Sequence, residues 1–103
     1  MEVVWTELAK ISFLDILKHI ESTLGTKTAF DIRLLIEESI ENLISFPQLG
    51  RVKQTISNEV EIRYLVVKRS KIFYYISGSD IIIILIWDTR RNPETLKDIL
   101  YSL

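Results

Sequence analysis

Two adjacent arginines, Arg90 and Arg91, close the apolar run IIIILIWDTRR over residues 81–91. They belong to a basic and aromatic set that gathers in the second half of the chain. Arg51 and Lys53 come first, then Arg63, then Lys68, Arg69 and Lys71, with Tyr74 and Tyr75 between them and the arginine pair. Such residues form either solvated strand ends and turns or a positive edge that receives an anionic group. Other chemistries lack the parts they need. His19 is the only histidine and there is no cysteine, so a ligand set for zinc or another transition metal is not assembled. A Ser-His-Asp apparatus would rest on that same His19, which sits beside Ile20 in a helical pattern and reads as a surface or boundary residue. The three glycines stand at 25, 50 and 78, too scattered for a phosphate-cradling loop.

The bulk of the chain sets the frame for these residues. At 103 residues it has the size of one domain, 1–103, with a single modest core. An apolar fraction of 48% is enough to build that core and argues against disorder. Without cysteine, neither a disulfide framework nor a thiolate metal site can form. The opening MEVVWTELAK lacks the basic start and apolar stretch of a secretory signal, and IIIILI is far shorter than the roughly 20 residues of a membrane span. An intracellular, cytoplasmic protein with no membrane partner is expected. Net charge is −1, yet residues 1–50 carry −4 and residues 51–103 carry +3. That is polarity within a small domain, less basic than a general nucleic-acid binder should be.

Hydrophobic periodicity supplies the elements. Val3 to Trp5 reads as a short strand, and Thr6 offers a cap to a helix whose first turn holds Glu7. Ala9, Phe13, Ile16, Leu17, Ile20 and Leu24 then recur on one helical face until Gly25 stops it. Thr26 or Thr28 is placed to cap a second helix with the stripe Ile32, Ile36, Ile40 and Leu43, ended by Phe46-Pro47. So short a link predicts an antiparallel helical hairpin. PQLGRVKQTISN, residues 47–58, reads as a loop. Residues 59–69 and 71–77 and the run IIIILIW read as three strands, the last buried on both faces at the centre of the sheet. Asn92 and Pro93 open a short final helix. The architecture predicted is α+β: an N-terminal edge strand and a helical hairpin packed on a mainly antiparallel sheet, with a short C-terminal helix.

Several stretches, taken in order, carry a resemblance. They are V-V-W-T near the start, F-P-Q-L-G-R at 46–51, E-I-R-Y-L-V-V at 61–67, K-I-F-Y-Y-I at 71–76 and I-L-I-W-D-T-R-R-N-P at 84–93. Together they resemble the RelE/ParE superfamily of type II toxin–antitoxin toxins over nearly the whole chain. The resemblance implies a small toxin neutralised by a cognate antitoxin, with no cofactor. It also implies one of two targets. ParE-like members poison DNA gyrase, whereas RelE-like members cut messenger RNA on the ribosome.

Cutting RNA without a metal needs a base, cations around the phosphate and an acid for the leaving oxygen. Under the resemblance Arg63 matches the family's second-strand arginine and Arg90 or Arg91 the one after the last strand, with Tyr101 as a late aromatic acid. The His-Tyr ending of some nuclease members is missing, and the F-P-x-L-G-R turn and R-R-N-P ending lean to the ParE side. The first reading is therefore a toxin that binds a protein target, and the alternative is a ribosome-dependent mRNA endonuclease. Leu8, Ile11 and Leu14 widen the first helix's apolar arc beyond one stripe, which calls for cover by a partner. An antitoxin segment is the expected cover, with Arg51, Lys68 and Arg69 pairing with its acids; a homodimer of the free protein would hide the same surface.

Overall fold

The computed structural model describes residues 1–56 and 60–102. The elements run β1 (Glu2–Trp5), α1 (Glu7–Leu24), α2 (Thr26–Ser45), β2 (Arg51–Ile56), β3 (Val60–Val67), β4 (Ser70–Ser77), β5 (Asp80–Asp88) and α3 (Pro93–Tyr101). The strands form one sheet in the order β1-β5-β4-β3-β2. Only β1 and β5 pair in parallel, and the other neighbours are antiparallel. The predicted α+β arrangement is what forms, with β1 at one edge.

Three expectations need correction. The segment 47–58 is not all loop, because Arg51–Ile56 pairs with β3 as the far edge strand; Ser57 and Asn58 lie outside the described residues, as does Glu59. The apolar β5 is an interior strand but not the middle one, which is β4. Neither Thr26 nor Thr28 caps α2. Gly25 ends α1 with φ at +95° and also precedes the first turn of α2, which has no side-chain cap. A single glycine thus turns the chain between two helices, since an L side chain rarely adopts that backbone angle.

Each face of the sheet has its own core. The face under the hairpin packs Ile72, Tyr74, Ile81, Ile83 and Ile86 against Ala9, Ile36, Ile40 and Leu43. The opposite face packs Ile62, Phe73, Leu85 and Trp87 against Leu96 and Leu100 of α3. This is why β5 is apolar at nearly every position: helices cover both of its sides.

Thr6 joins hairpin to sheet. Its hydroxyl accepts from the Ala9 N–H at 3.0 Å, capping α1 as predicted, and lies 3.0 Å from the carbonyl oxygens of both Ile83 and Ile84. The β4–β5 register slips at this point, from Phe73 opposite Leu85 to Tyr74 opposite Ile83. Ser12 meets the same bulge by accepting the Ile86 N–H at 3.0 Å. Backbone groups that the irregular ladder would leave unpaired are therefore satisfied by α1.

Candidate functional site

Arg63 stands on β3 opposite Tyr74, on the hairpin side of the sheet. Its guanidinium is committed in three directions. It donates to the Gly50 carbonyl at 2.9 Å and the Gln48 carbonyl at 3.2 Å, and pairs with Glu61 at 2.9 Å, leaving the side chain only 17% exposed. Tyr74 works on the same loop from beneath. Its phenol donates to the Pro47 carbonyl and accepts the Gly50 N–H, both at 2.8 Å. Burial pushes the Tyr74 phenol up in pKa, opposed by the Gly50 N–H and the nearby Arg63 charge. A side chain on Gly50 would have no room, since its Cβ would meet the Tyr74 ring at 2.7 Å and the Tyr64 carbonyl at 2.9 Å. The F-P-Q-L-G-R stretch is thus a loop fastened to the sheet by four hydrogen bonds.

The arginine pair lies elsewhere. Asp88, at the end of β5, pairs across the ladder with Ser70, and Arg63 lies several residues back along the parallel direction. Arg90 folds onto Asp88 at 3.1 Å, and its N–H also donates to that carboxylate at 2.9 Å. Those bonds, ahead of the opposing effect of burial, hold the Asp88 carboxyl below its ordinary pKa. Arg91 turns to the other face, with its guanidinium 4.4 Å from the centre of the Trp87 ring. Tyr101 is 74% exposed at the end of α3. The four residues weighed for RNA cleavage are therefore divided between two faces of the sheet. Among the described residues no three His, Asp or Glu side chains gather as a metal site.

Between the hairpin and the β3–β4 turn the fold leaves a cleft of about 220 Å³. Ile16, Ile20, Leu24 and Ile32 form its apolar wall, and Lys68, Arg69, Asp88 and Arg90 its rim. Lys68 takes a left-handed φ of +55° in the turn that presents Arg69. Asp88 is occupied by Arg90, and among the described residues neither Lys68 nor Arg69 has a carboxylate within ion-pair distance. An amphipathic, acidic segment would match both wall and rim.

Other residues singled out in the sequence are spread out. Leu8, Ile11 and Leu14 are exposed at 38%, 55% and 55%, on the stretch of α1 before the cleft. Leu14 lines a separate groove with Trp5, Phe13 and Glu37. Phe30, Leu34 and Leu35 of α2 are exposed as well. Arg51 begins β2 opposite Tyr64, beside the fastened loop and away from Lys68 and Arg69. His19 is exposed on α1, as its sequence context suggested.

A family model described as the ParE toxin of the type II toxin–antitoxin system parDE matches residues 3–93. The chain belongs to the ParE toxin family. It is a toxin of the type II toxin–antitoxin kind, and the RelE/ParE resemblance is shown. No curated protein matches it. A solved chain titled "Chromosomal ParDE TA system from P. aeruginosa" is similar in fold, with a TM-score of 0.71 at 20% identity. The overlap takes in 87% of this chain and 97% of that one.

The ParE match covers both the fastened loop and the arginine pair, but the sequence signalled their roles unevenly. Ser12 and Tyr74 were missed as fastening residues. Tyr74 stood in an aromatic pair like any core tyrosine, and only the paired register reveals its reach to a loop 24 residues earlier. The Pro-Gln-Leu-Gly spacing was the one available hint, because a glycine after a helix-ending proline marks a close backbone approach.

Proposed function

We propose that this ParE-family toxin arrests growth by binding a protein target, DNA gyrase, and that a cognate antitoxin neutralises it by lying along the helical hairpin and entering the basic cleft. The observation that carries the reading is the dispersal of the would-be catalytic residues. Arg63 faces the hairpin and is used up on loop carbonyls and Glu61, Arg90 lies several residues along the same face and is held by Asp88, and Arg91 covers Trp87 on the α3 face. Charge stabilisation in phosphoryl chemistry needs cations converging on one reacting group. A binding toxin has no such requirement. On this reading the toxin acts in the cytoplasm, where both target and antitoxin are made. No helix among the described residues is long and apolar enough to cross a membrane.

For the antitoxin, the apolar side chains from Leu8 to Leu24 extend over about 24 Å of helix at 1.5 Å per residue. An amphipathic segment of similar length would cover them and place its acids at Lys68 and Arg69. The test is co-expression with a cognate antitoxin, sought as a short reading frame beside this one. Growth restored by that frame, and no longer restored when the toxin carries Lys68→Glu and Arg69→Glu, is the expected result. Restoration that ignores the charge reversal would remove the cleft from the antitoxin's path.

A further inference from the structure

Three cations on the α3 side of the sheet lie outside the antitoxin cleft. Among the described residues Arg51, Lys71 and Arg91 have no carboxylate within ion-pair distance. Strand register sets them in one line. Arg51 of β2 stands opposite Tyr64 of β3, whose ring packs on the core of the α3 face. Lys71 of β4 holds its ammonium 4.9 Å from the centre of the Tyr64 ring and is itself opposite Trp87 of β5. Arg91 places its guanidinium 4.4 Å from the centre of the Trp87 ring. The order across four strands is therefore cation, ring, cation, ring, cation. At about 4.8 Å between neighbouring strands, the line extends over roughly 14 Å. Two of its charges rest on aromatic faces, so they are already placed and lose little freedom when an anion arrives.

We propose that this row seats the phosphate backbone of duplex DNA, through contacts that read no sequence. Charge complementarity selects an anion, and the covered rings select among anions. Proteins grip single-stranded nucleic acid by stacking its bases on open aromatic faces. Here Lys71 occupies the Tyr64 face, and Trp87 is only 2% exposed. Phosphates are what the row can hold, and duplex DNA presents them most densely, about one charge per 1.7 Å of its axis. A protein partner would be expected to meet an apolar centre with charges at the rim. The exposed aliphatic side chain beside Lys71 is Val66, a residue type that seldom anchors an interface. Helix α3 brings Glu94 and Asp98 to the same side of the sheet, and the whole chain carries −1, so the attraction is weak and confined to low salt. The contact goes beyond the protein-target reading and holds whichever protein the toxin arrests.

The experiment titrates a labelled DNA duplex of mixed sequence with the full chain and reads fluorescence anisotropy as salt is raised. Three phosphate contacts predict that log affinity falls against log salt with a slope of about −2.7, so binding at 200 mM salt is about 40-fold weaker than at 50 mM. Arg51→Gln, Lys71→Gln and Arg91→Gln, made singly, should each make that slope shallower by about 0.9. Thermal melting is measured on the same variants. Arg51 is exposed and rests on no ring, so its variant decides the outcome should either of the others melt low. Lys10→Gln removes an equal charge from α1 and should keep the wild-type slope. No binding at 50 mM salt would overturn the proposal. A slope changed as much by Lys10→Gln would make the attraction one of net charge and overturn it too. Tighter binding to a single strand of DNA or RNA, or full competition by polyglutamate at equal charge, would assign the row to another partner and likewise overturn it. Growth arrest and its neutralisation test the protein-target reading separately, so either can fail without the other.

Discussion

Arg63 carries a positive charge within an apolar-rich strand, and from sequence alone that placement favours a functional surface. Geometry gives it a structural occupation. Replacing Arg63 with Ala leaves the Gly50 carbonyl without its donor, at a cost of about 1–3 kcal/mol. For a domain of this size each kcal/mol lowers the melting temperature by about 4–8 °C. The double change Arg90→Ala, Arg91→Ala should melt closer to wild type, because both arginines are exposed, and an exposed ion pair and an exposed stack on Trp87 each contribute about 1 kcal/mol or less. Scanning calorimetry on both variants checks the contrast, and equal melting would show that Arg63 does not hold the loop. Gly50→Ala should be destabilising by about 1–3 kcal/mol, since its Cβ would press on the Tyr74 ring and a fixed backbone carbonyl. Asp88 gives a dependence on acidity. Its pKa is depressed in the folded state, so the Arg90 pairing stabilises above the ordinary carboxylate pKa of about 4 and is lost as pH falls through the depressed value. The melting difference between wild type and Asp88→Asn should therefore shrink on acidification from neutral pH. A difference that grows would refute the assignment.

At the scale of elements, legibility followed the strength of local pattern. Both long helices were readable from their stripes, and the Thr6 and Asn92 caps from residue type, because capping is settled within one turn. The β2 strand was not. Its sequence RVKQTI lacks apolar alternation, it lies at an edge, and its register with β3 shifts between Val52 and Gln54. The cap of α2 was misread for a similar reason: Gly25 joins the two helices alone, leaving no separate linker for a threonine to close. Thr6 offers the sharpest test of an element junction. Thr6→Val removes the helix cap and the contacts to the β5 bulge together, so the loss should exceed the roughly 1 kcal/mol of an isolated cap. Chemical denaturation measures it, and a loss within the ordinary cap range would mean the bulge stands without α1.

Across the whole molecule, the acidic first half and basic second half become a fold in which the hairpin's apolar surface meets cations from the β3–β4 turn. Fold class was legible from hydrophobic periodicity, and the family because several short motifs occur in a fixed order over nearly the entire chain. The candidate sites were legible only as residue types. Their grouping depends on strand register and on which face each side chain takes, and long-range pairing determines both. Arg63 and Arg91 are the clearest instance: alike in charge, both near strands, and placed on opposite faces. That separation, with Arg90 held by Asp88 several residues from Arg63, is the ground for expecting a toxin that binds rather than cuts. The most direct measurement maps transcript ends and chromosome breaks in the same cells after induction. The account predicts gyrase-linked DNA breaks with translated messages intact, whereas in-frame cuts in translated messages with unbroken chromosomes would contradict it.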